Sequence, residues 1–350
     1  MTVIHVLLLL GCAVVIYLAC EWFVNAVEWL GVRMRMGTLA IGTILAAAGT
    51  ALPESVVTLV AVTMRHSSAA KEIGVGAAMG GPLALATVAY GVTGFMLLRR
   101  KRALQGLLRE SLLEPGPHHG RAAIDPMDGA DLSRLPRDQQ WFLAIFVFKV
   151  ALGLVAFSLK PALGLLFFAA YAAYFVREMR DDSEAHSDAD LEPLKLQPHA
   201  QAPAGWAIAV QTLATLGIIF AASQLFVAQL EWAGPAIGLA PSVTALLLSP
   251  IATELPEVMN AVIWVRQGKT SLALANISGA MMIQATIPSG LGILFTPWKF
   301  DHVLMLSGVI TMAAIAYLLW LLARQRFTAS RLAWAFAFYP VFAVGLLALR

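Results

Sequence analysis

The chain has 350 residues, 59% of them hydrophobic and only 13% charged. That is too little polar surface for a soluble globular protein and is the composition of a polytopic membrane protein. The net charge of +3 is uninformative by itself, and no nucleic-acid partner is expected.

Cut at its charged clusters, the chain yields ten apolar segments: 3–31, 38–64, 72–98, 139–159, 161–176, 205–231, 238–265, 271–296, 302–323 and 328–349. Most reach the roughly 20 residues that a helix needs to cross a hydrocarbon core, and 161–176 is the shortest. In the first, LLLLGC faintly suggests a lipoprotein cleavage site. No basic region precedes it and the apolar run continues to Trp29, so it reads as an uncleaved span. Cys12 and Cys20 lie about 12 Å apart by helical rise, too far to bridge. Glu21 and Glu28 are expected to be interfacial or structural.

The second segment carries GTALPE (49–54), with Pro53 beside Glu54, and the third a small-residue patch, IGVGAAMGGPLALAT (73–87). Residues 99–138 open on RRKR, contain PGPHHG and many turn residues, and read as a polar loop holding a solvated His118 and His119. Lys149, inside WFLAIFVFKVALGLVAF, is expected to snorkel or pair rather than face substrate. Residues 178–204, acidic and then Pro/Ala-rich, read as a flexible linker.

After that linker the pattern starts again. Shifting by 203 residues places 36–62 on 239–265, with Thr50 on Thr253, Leu52 on Leu255, Pro53 on Pro256 and Glu54 on Glu257. The repeat has a T-x-L-P-E core. Each half has five spans, an odd number, so the second half enters the membrane inverted, the signature of a secondary transporter with a midplane site. The expected fold is therefore all-α: about ten transmembrane helices in two inverted five-helix repeats with proline-kinked or broken helices. The organisation reads as three spans in 1–98, with a first repeat element at 36–90, the loop 99–138, two spans in 139–177 and the linker 178–204. A second half follows at 205–350, with its repeat element at 238–290.

Eighteen of the 24 Lys and Arg fall in the loops on one side and five on the other. The positive-inside bias puts both termini outside and both long loops in the cytoplasm, in a plasma (inner) membrane.

Acids near a bilayer centre mark function by default. Pro53 and Pro256 free the carbonyls of Gly49 and Ala252, which in hydrocarbon must line a polar cavity or meet a cation. Glu54 and Glu257, with the Thr50 and Thr253 hydroxyls, would make an oxygen-rich pocket of the kind hard cations require. Two opposed carboxylates raise each other's proton affinity, so cation and protons compete, which is the basis of exchange. In the second half Asn276 and Gln284 add amides, while Gly76 to Gly80 and Ala275 to Gly279 have the spacing of close helix packing. Glu254 is an extra acid three residues before Glu257; on a helix persisting through Pro256 the two would share a face and titrate as a pair.

GTALPE, ATELPE (252–257) and the small-residue patches that follow them resemble the cation/Ca²⁺ antiporter superfamily, of the sodium/calcium exchanger type. The resemblance implies ten spans in inverted repeats and signatures close to G-T-S-L-P-E and G-N-x-x-G-S-N-x-x-N/D. It also implies that Glu54 and Glu257 are the central metal ligands, with Thr50 and Thr253 adding oxygens. The second signature has thinned here: its Ser falls on Gly81 and Ala280, and its last position on Leu85 and Gln284. The Ser of G-T-S is Ala51 in one copy and Glu254 in the other.

The expected function is secondary antiport of Ca²⁺ or a related cation against Na⁺ or H⁺ by alternating access, with inorganic cations and the bilayer as partners and no cofactor. A non-transporting structural or sensory relative is the alternative. No H-E-x-x-H, G-x-S-x-G or nucleotide-binding glycine loop occurs, so neither an enzyme nor an ATP-driven pump is expected.

Overall fold

The computed structural model describes residues 2–63, 68–113, 127, 129–180, 191–200, 202–236, 247, 250 and 253–349. All regular structure among them is helical. The first half contains α1 (Thr2–Arg33), α2 (Ala47–Thr63), α3 (Ser68–Ala84), α4 (Tyr90–Leu113), α5 (Leu135–Leu154) and α6 (Gly164–Arg180). The second contains α7 (Gly205–Ala236), α8 (Leu255–Gln267), α9 (Thr270–Phe295), α10 (His302–Ala323) and α11 (Phe338–Ala348). Two π-helical turns interrupt the first half, Ile41–Ala46 leading into α2 and Leu85–Ala89 joining α3 to α4. Such wide turns inside α-helices concentrate at functional sites. Among the described residues seven helices are long and apolar enough to cross a membrane, and the order of the helices is consistent with two inverted five-helix repeats.

Local chemistry sets several boundaries. Gly268, at φ +89, takes the left-handed position that ends α8, where the Lys269 N–H closes back on the Trp264 carbonyl at 2.8 Å. Asp301 caps α10 by accepting from the Leu304 N–H at 2.8 Å. Where 99–138 reads as loop, α4 in fact continues to Leu113. Its sequence LQGLLRESLL has no proline before Pro115, its single Gly106 costs only about 1 kcal/mol, and positive charge alone does not stop a helix. His118 and His119 lie outside the described residues.

The linker reading also needs correction over 191–200. Leu194 is fully buried among Ala26, Trp29, Ala207 and Ile208. Its neighbours' backbone is satisfied by side chains of α1 and α7: Asn25 and Trp29 donate to the Glu192 carbonyl, Asn25 accepts from Lys195 N–H, and Gln211 accepts from Leu196 N–H. Composition suggested flexibility; two amides and an indole on the neighbouring helices supply the order.

Packing divides the helices into an inner and an outer set. The apolar windows of α9 and of the Val75–Gln105 span are 83% and 78% buried, against 28% for α1 and 22% for Pro161–Arg180. The outer set shows Leu7, Leu10, Leu165, Leu213 and Val344 to the surroundings, as a lipid-facing belt does. α1 packs along α7, so the opening spans of the two halves lie against each other. α9 is central and touches α2, α3, α5, α6, α8 and the first π turn.

Glycine sets how closely α9 approaches that turn. A Cβ on Gly279 would fall inside 3.0 Å of the Thr43 backbone, and one on Gly42 would lie 2.8 Å from the Ala275 side chain. The Ala275/Gly279 spacing thus serves close packing. Of the matching pair in the first half, Gly80 is crowded by Pro250, while Gly76 has open space.

Candidate ion site

The two LPE segments fold differently. α2 runs through Leu52, Pro53 and Glu54 without a break. In the second half α8 begins at Leu255, with Glu254 at its N-cap (φ −86°, ψ 3°) and Pro256 in the first turn. A proline there costs nothing, because the first N–H groups of a helix have no internal partner. Glu254 and Glu257 are thus the N-cap and third residue of α8, one turn apart, with the Val258 N–H closing on the Glu254 carbonyl at 3.1 Å. They stand at a helix N-terminus, whose partial positive charge favours carboxylates.

Both are buried, Glu254 at 1% and Glu257 at 0% exposure. Gln284 of α9 donates its amide N–H to Glu254 Oε1 at 2.6 Å. This pair lies on Gly81: a Cβ there would stand 2.7 Å from Glu254 Oε1 and closer still to Gln284 Oε1. The lost side chain on α3 and the gained carboxylate beside α8 are thus two sides of one change. Gly81 leaves the room that Glu254 and Gln284 occupy.

Near Glu257 stand two amides and a thiol. Asn276 donates to the Glu257 backbone carbonyl at 3.3 Å, and Cys20 Sγ reaches the Pro256 carbonyl at 3.8 Å. Asn260, one turn beyond Glu257, is fully buried, and neither of its amide atoms has a partner among the described residues; the same holds for Asn276 Oδ1. Buried polar atoms are nearly always hydrogen-bonded, so these amides are candidate ligands. Sequence reading missed Asn260, although an amide three residues after the acid, on the acid's own face, was visible in PEVMNAV.

The hydroxyls are held but still able to ligate. Thr50 donates to the Ala46 carbonyl at 3.1 Å and Thr253 to the Pro250 carbonyl at 3.2 Å, leaving the lone pairs of each. Glu54 lies on α2 one turn after Thr50, and its side chain is outside the described part of the structure.

Two other buried acids hold helices together. Glu28 accepts from Trp264 Nε1 at 2.8 Å and pairs with Lys269, tying α1 to α8. Glu178 takes Arg134 at 3.3 Å, Arg137, and the Thr43 hydroxyl at 3.3 Å, fastening α5 and α6 to the first π turn. Asp138, buried at the loop-bearing end of α5 before the predicted span, is pushed up to about 8. Burial is the largest cause and the Glu178 charge the next, only partly offset by Arg137 and Arg134.

An all-helical membrane fold of two matched halves, with buried carboxylates and amides where their repeat elements meet, defines a secondary transporter. The sequence agrees with a known family: the chain matches "Sodium/calcium exchanger protein" over residues 4–179 and 206–348, a match that breaks at the connection between the halves. It belongs to the sodium/calcium exchanger family and is a cation antiporter; family membership does not favour the non-transporting alternative. The fold is similar to that of the sodium-calcium exchanger NCX_Mj soaked with 2.5 mM Na⁺ and 0.1 mM Sr²⁺ (TM-score 0.72, 18% identity, all of both chains covered). The same protein soaked with 2.5 mM Na⁺ and 0.1 mM Ca²⁺ gives a TM-score of 0.71 at 18% identity, again over all of both chains. No curated protein sequence matched the chain.

Proposed function

We propose that this antiporter exchanges Ca²⁺ or a related hard cation for H⁺, using Glu54, Glu257 and Glu254 as carboxylate ligands. Thr50, Thr253, Asn276 and Gln284 contribute neutral oxygens. The observation that carries this reading is the Glu254–Gln284 pair seated on Gly81. An exchanger moving several Na⁺ per cycle needs oxygens distributed over both repeats. Here Gly81 and Leu85 carry no side-chain oxygen, while the second half has gained an acid.

Carboxylates gathered at one helix end repel one another, and either a divalent cation or protons relieve that repulsion. Because both cannot do so at once, loading one expels the other. Alternating access follows from movement of α1 and α7, packed on each other at the edge of the bundle, against the site-bearing α2, α3, α8 and α9. The distribution of Lys and Arg supports the loop-bearing side as cytoplasmic, and we place the protein in a plasma (inner) membrane.

Flux into proteoliposomes, measured against a panel of cations with and without a pH gradient, tests the proposal. Divalent uptake driven by the pH gradient, and lost in Glu54→Gln and Glu257→Gln, is expected. Uptake driven only by a Na⁺ gradient would overturn the choice of counter-ion.

A further inference from the structure

One buried charge has no place in the exchange cycle described above. Lys149 lies well inside α5 with none of its surface exposed, so it does not snorkel, and it has no ion pair among the described residues. Its Nζ donates to the Ala78 carbonyl of α3 at 2.8 Å and to Ser289 Oγ of α9 at 3.1 Å, and stands 4.3 Å from the centre of the Phe146 ring.

These acceptors have a common origin in proline. Pro82, inside α3, lacks the N–H that would have bonded the carbonyl four residues back, which is that of Ala78. Pro288, inside α9, does the same to the carbonyl of Gln284, which Ser289 Oγ reaches at 3.4 Å. Lys149 therefore sits where two proline breaks release carbonyls, taking one directly and the other through the serine. The Gln284 side chain in turn donates to Glu254, so the network runs from Lys149 to the candidate ion cluster.

A carbonyl, a hydroxyl and a π face are all partners that attract positive charge, and the first two are what a dehydrated monovalent cation takes as ligands. Burial works against a charge at this depth; freed carbonyl dipoles that would otherwise stay unsatisfied work for it. We propose that Lys149 is a tethered monovalent cation. Its ammonium fills, between α3 and α9, a position that a Na⁺-sized ion would otherwise occupy, so the antiporter needs one fewer mobile cation in its cycle. Lys149 is a specificity-determining residue in this account, and the part concerning the cycle rests on the antiport reading.

Two variants of the purified full chain in detergent test the position itself, independently of transport. Lys149→Ala removes the ammonium and leaves room for an ion, whereas Lys149→Met fills the space with no charge. In N-methyl-D-glucamine chloride, Lys149→Ala is expected to melt about 5 °C below the parent, because a freed carbonyl loses its partner. Replacing that salt with NaCl should recover most of the deficit, beyond any rise seen in the parent, and should not rescue Lys149→Met. In voltage-clamped proteoliposomes, the charge moved per divalent cation by Lys149→Ala should differ from the parent's by one elementary charge. A deficit indifferent to the cation, equal rescue of Lys149→Met, no deficit at all, a chain that folds in neither salt, or unchanged charge per cycle would each overturn the proposal. If the parent moves no cation, only the antiport reading fails, and the melting comparison still decides the position.

Discussion

The two halves of this antiporter share a T-x-L-P-E core and little of what surrounds it. Glu54 stands on a helix that continues through Pro53, whereas Glu257 stands in the first turn of a helix that starts beside Pro256. The second half also places Glu254, Asn260, Asn276 and Gln284 where the first has Ala51, Val57, Ala77 and Leu85. Conversely, the first half's acids Asp138 and Glu178 are gathered with Arg134 and Arg137 at the loop-bearing end. In the proposed site the halves have thus specialised: the second would supply most of the buried oxygens, and the first would supply Glu54, besides the space at Gly81 and the clamp that holds the first π turn.

The largest effect expected from breaking this asymmetry is on transport. Glu257→Gln should lower flux on the order of 100-fold, about 2.7 kcal/mol, with the chain still folded. An equal loss in Glu54→Gln would show that the first half still ligates. A loss confined to Glu257→Gln would make the site one-sided.

Next comes the contact between the halves. Gly279→Ala drives a methyl into the Thr43 backbone, which cannot turn aside as a side-chain end can. It should cost about 3 kcal/mol, read as a lower melting temperature of the purified protein. Gly81→Ser meets first the side-chain ends of Glu254 and Gln284. Stability should therefore change by about 1 kcal/mol or less, while flux falls roughly tenfold as the pair is displaced. Combining Gly81→Ser with Glu254→Ala should recover part of that flux; strict additivity of the two losses would mean that they do not share the space.

The smallest effect concerns the clamp. Asp138 rises from 3.8 to about 8 on folding, so between those values the folded chain holds a proton that the unfolded chain has lost. Its contribution to stability is most favourable at low pH and declines as pH rises from about 4 to about 8. Asp138→Asn should flatten the melting temperature over that window, and an unchanged slope would remove Asp138 as its source.

Much of the fold was legible because membrane spans are written in composition and the inverted repeat in a five-span period. The apolar segments follow from length and composition, and the two halves from the 203-residue shift that aligns their T-x-L-P-E cores. Local sequence could not distinguish Pro53 from Pro256, since the same L-P-E sits mid-helix in one setting and at a helix start in the other. Nor could it show that Gly81 and Glu254 are complementary, because a missing side chain on α3 makes sense only once α8 and α9 are beside it. Lys149 misled for the same reason: the carbonyls that hold it are freed by Pro82 and Pro288, on helices distant in sequence. Asn260 is the instructive omission, since it needed only the helical spacing already applied to its neighbours.

The claim that the second half has become a proton-coupled site is tested most directly with a pH-sensitive dye sealed inside proteoliposomes, as Ca²⁺ is added outside without Na⁺. The account predicts proton efflux that tracks Ca²⁺ entry in the parent and loses its pH dependence in Glu254→Gln. Ca²⁺ entry that demands a Na⁺ gradient, moves no protons and is unchanged by Glu254→Gln would contradict it.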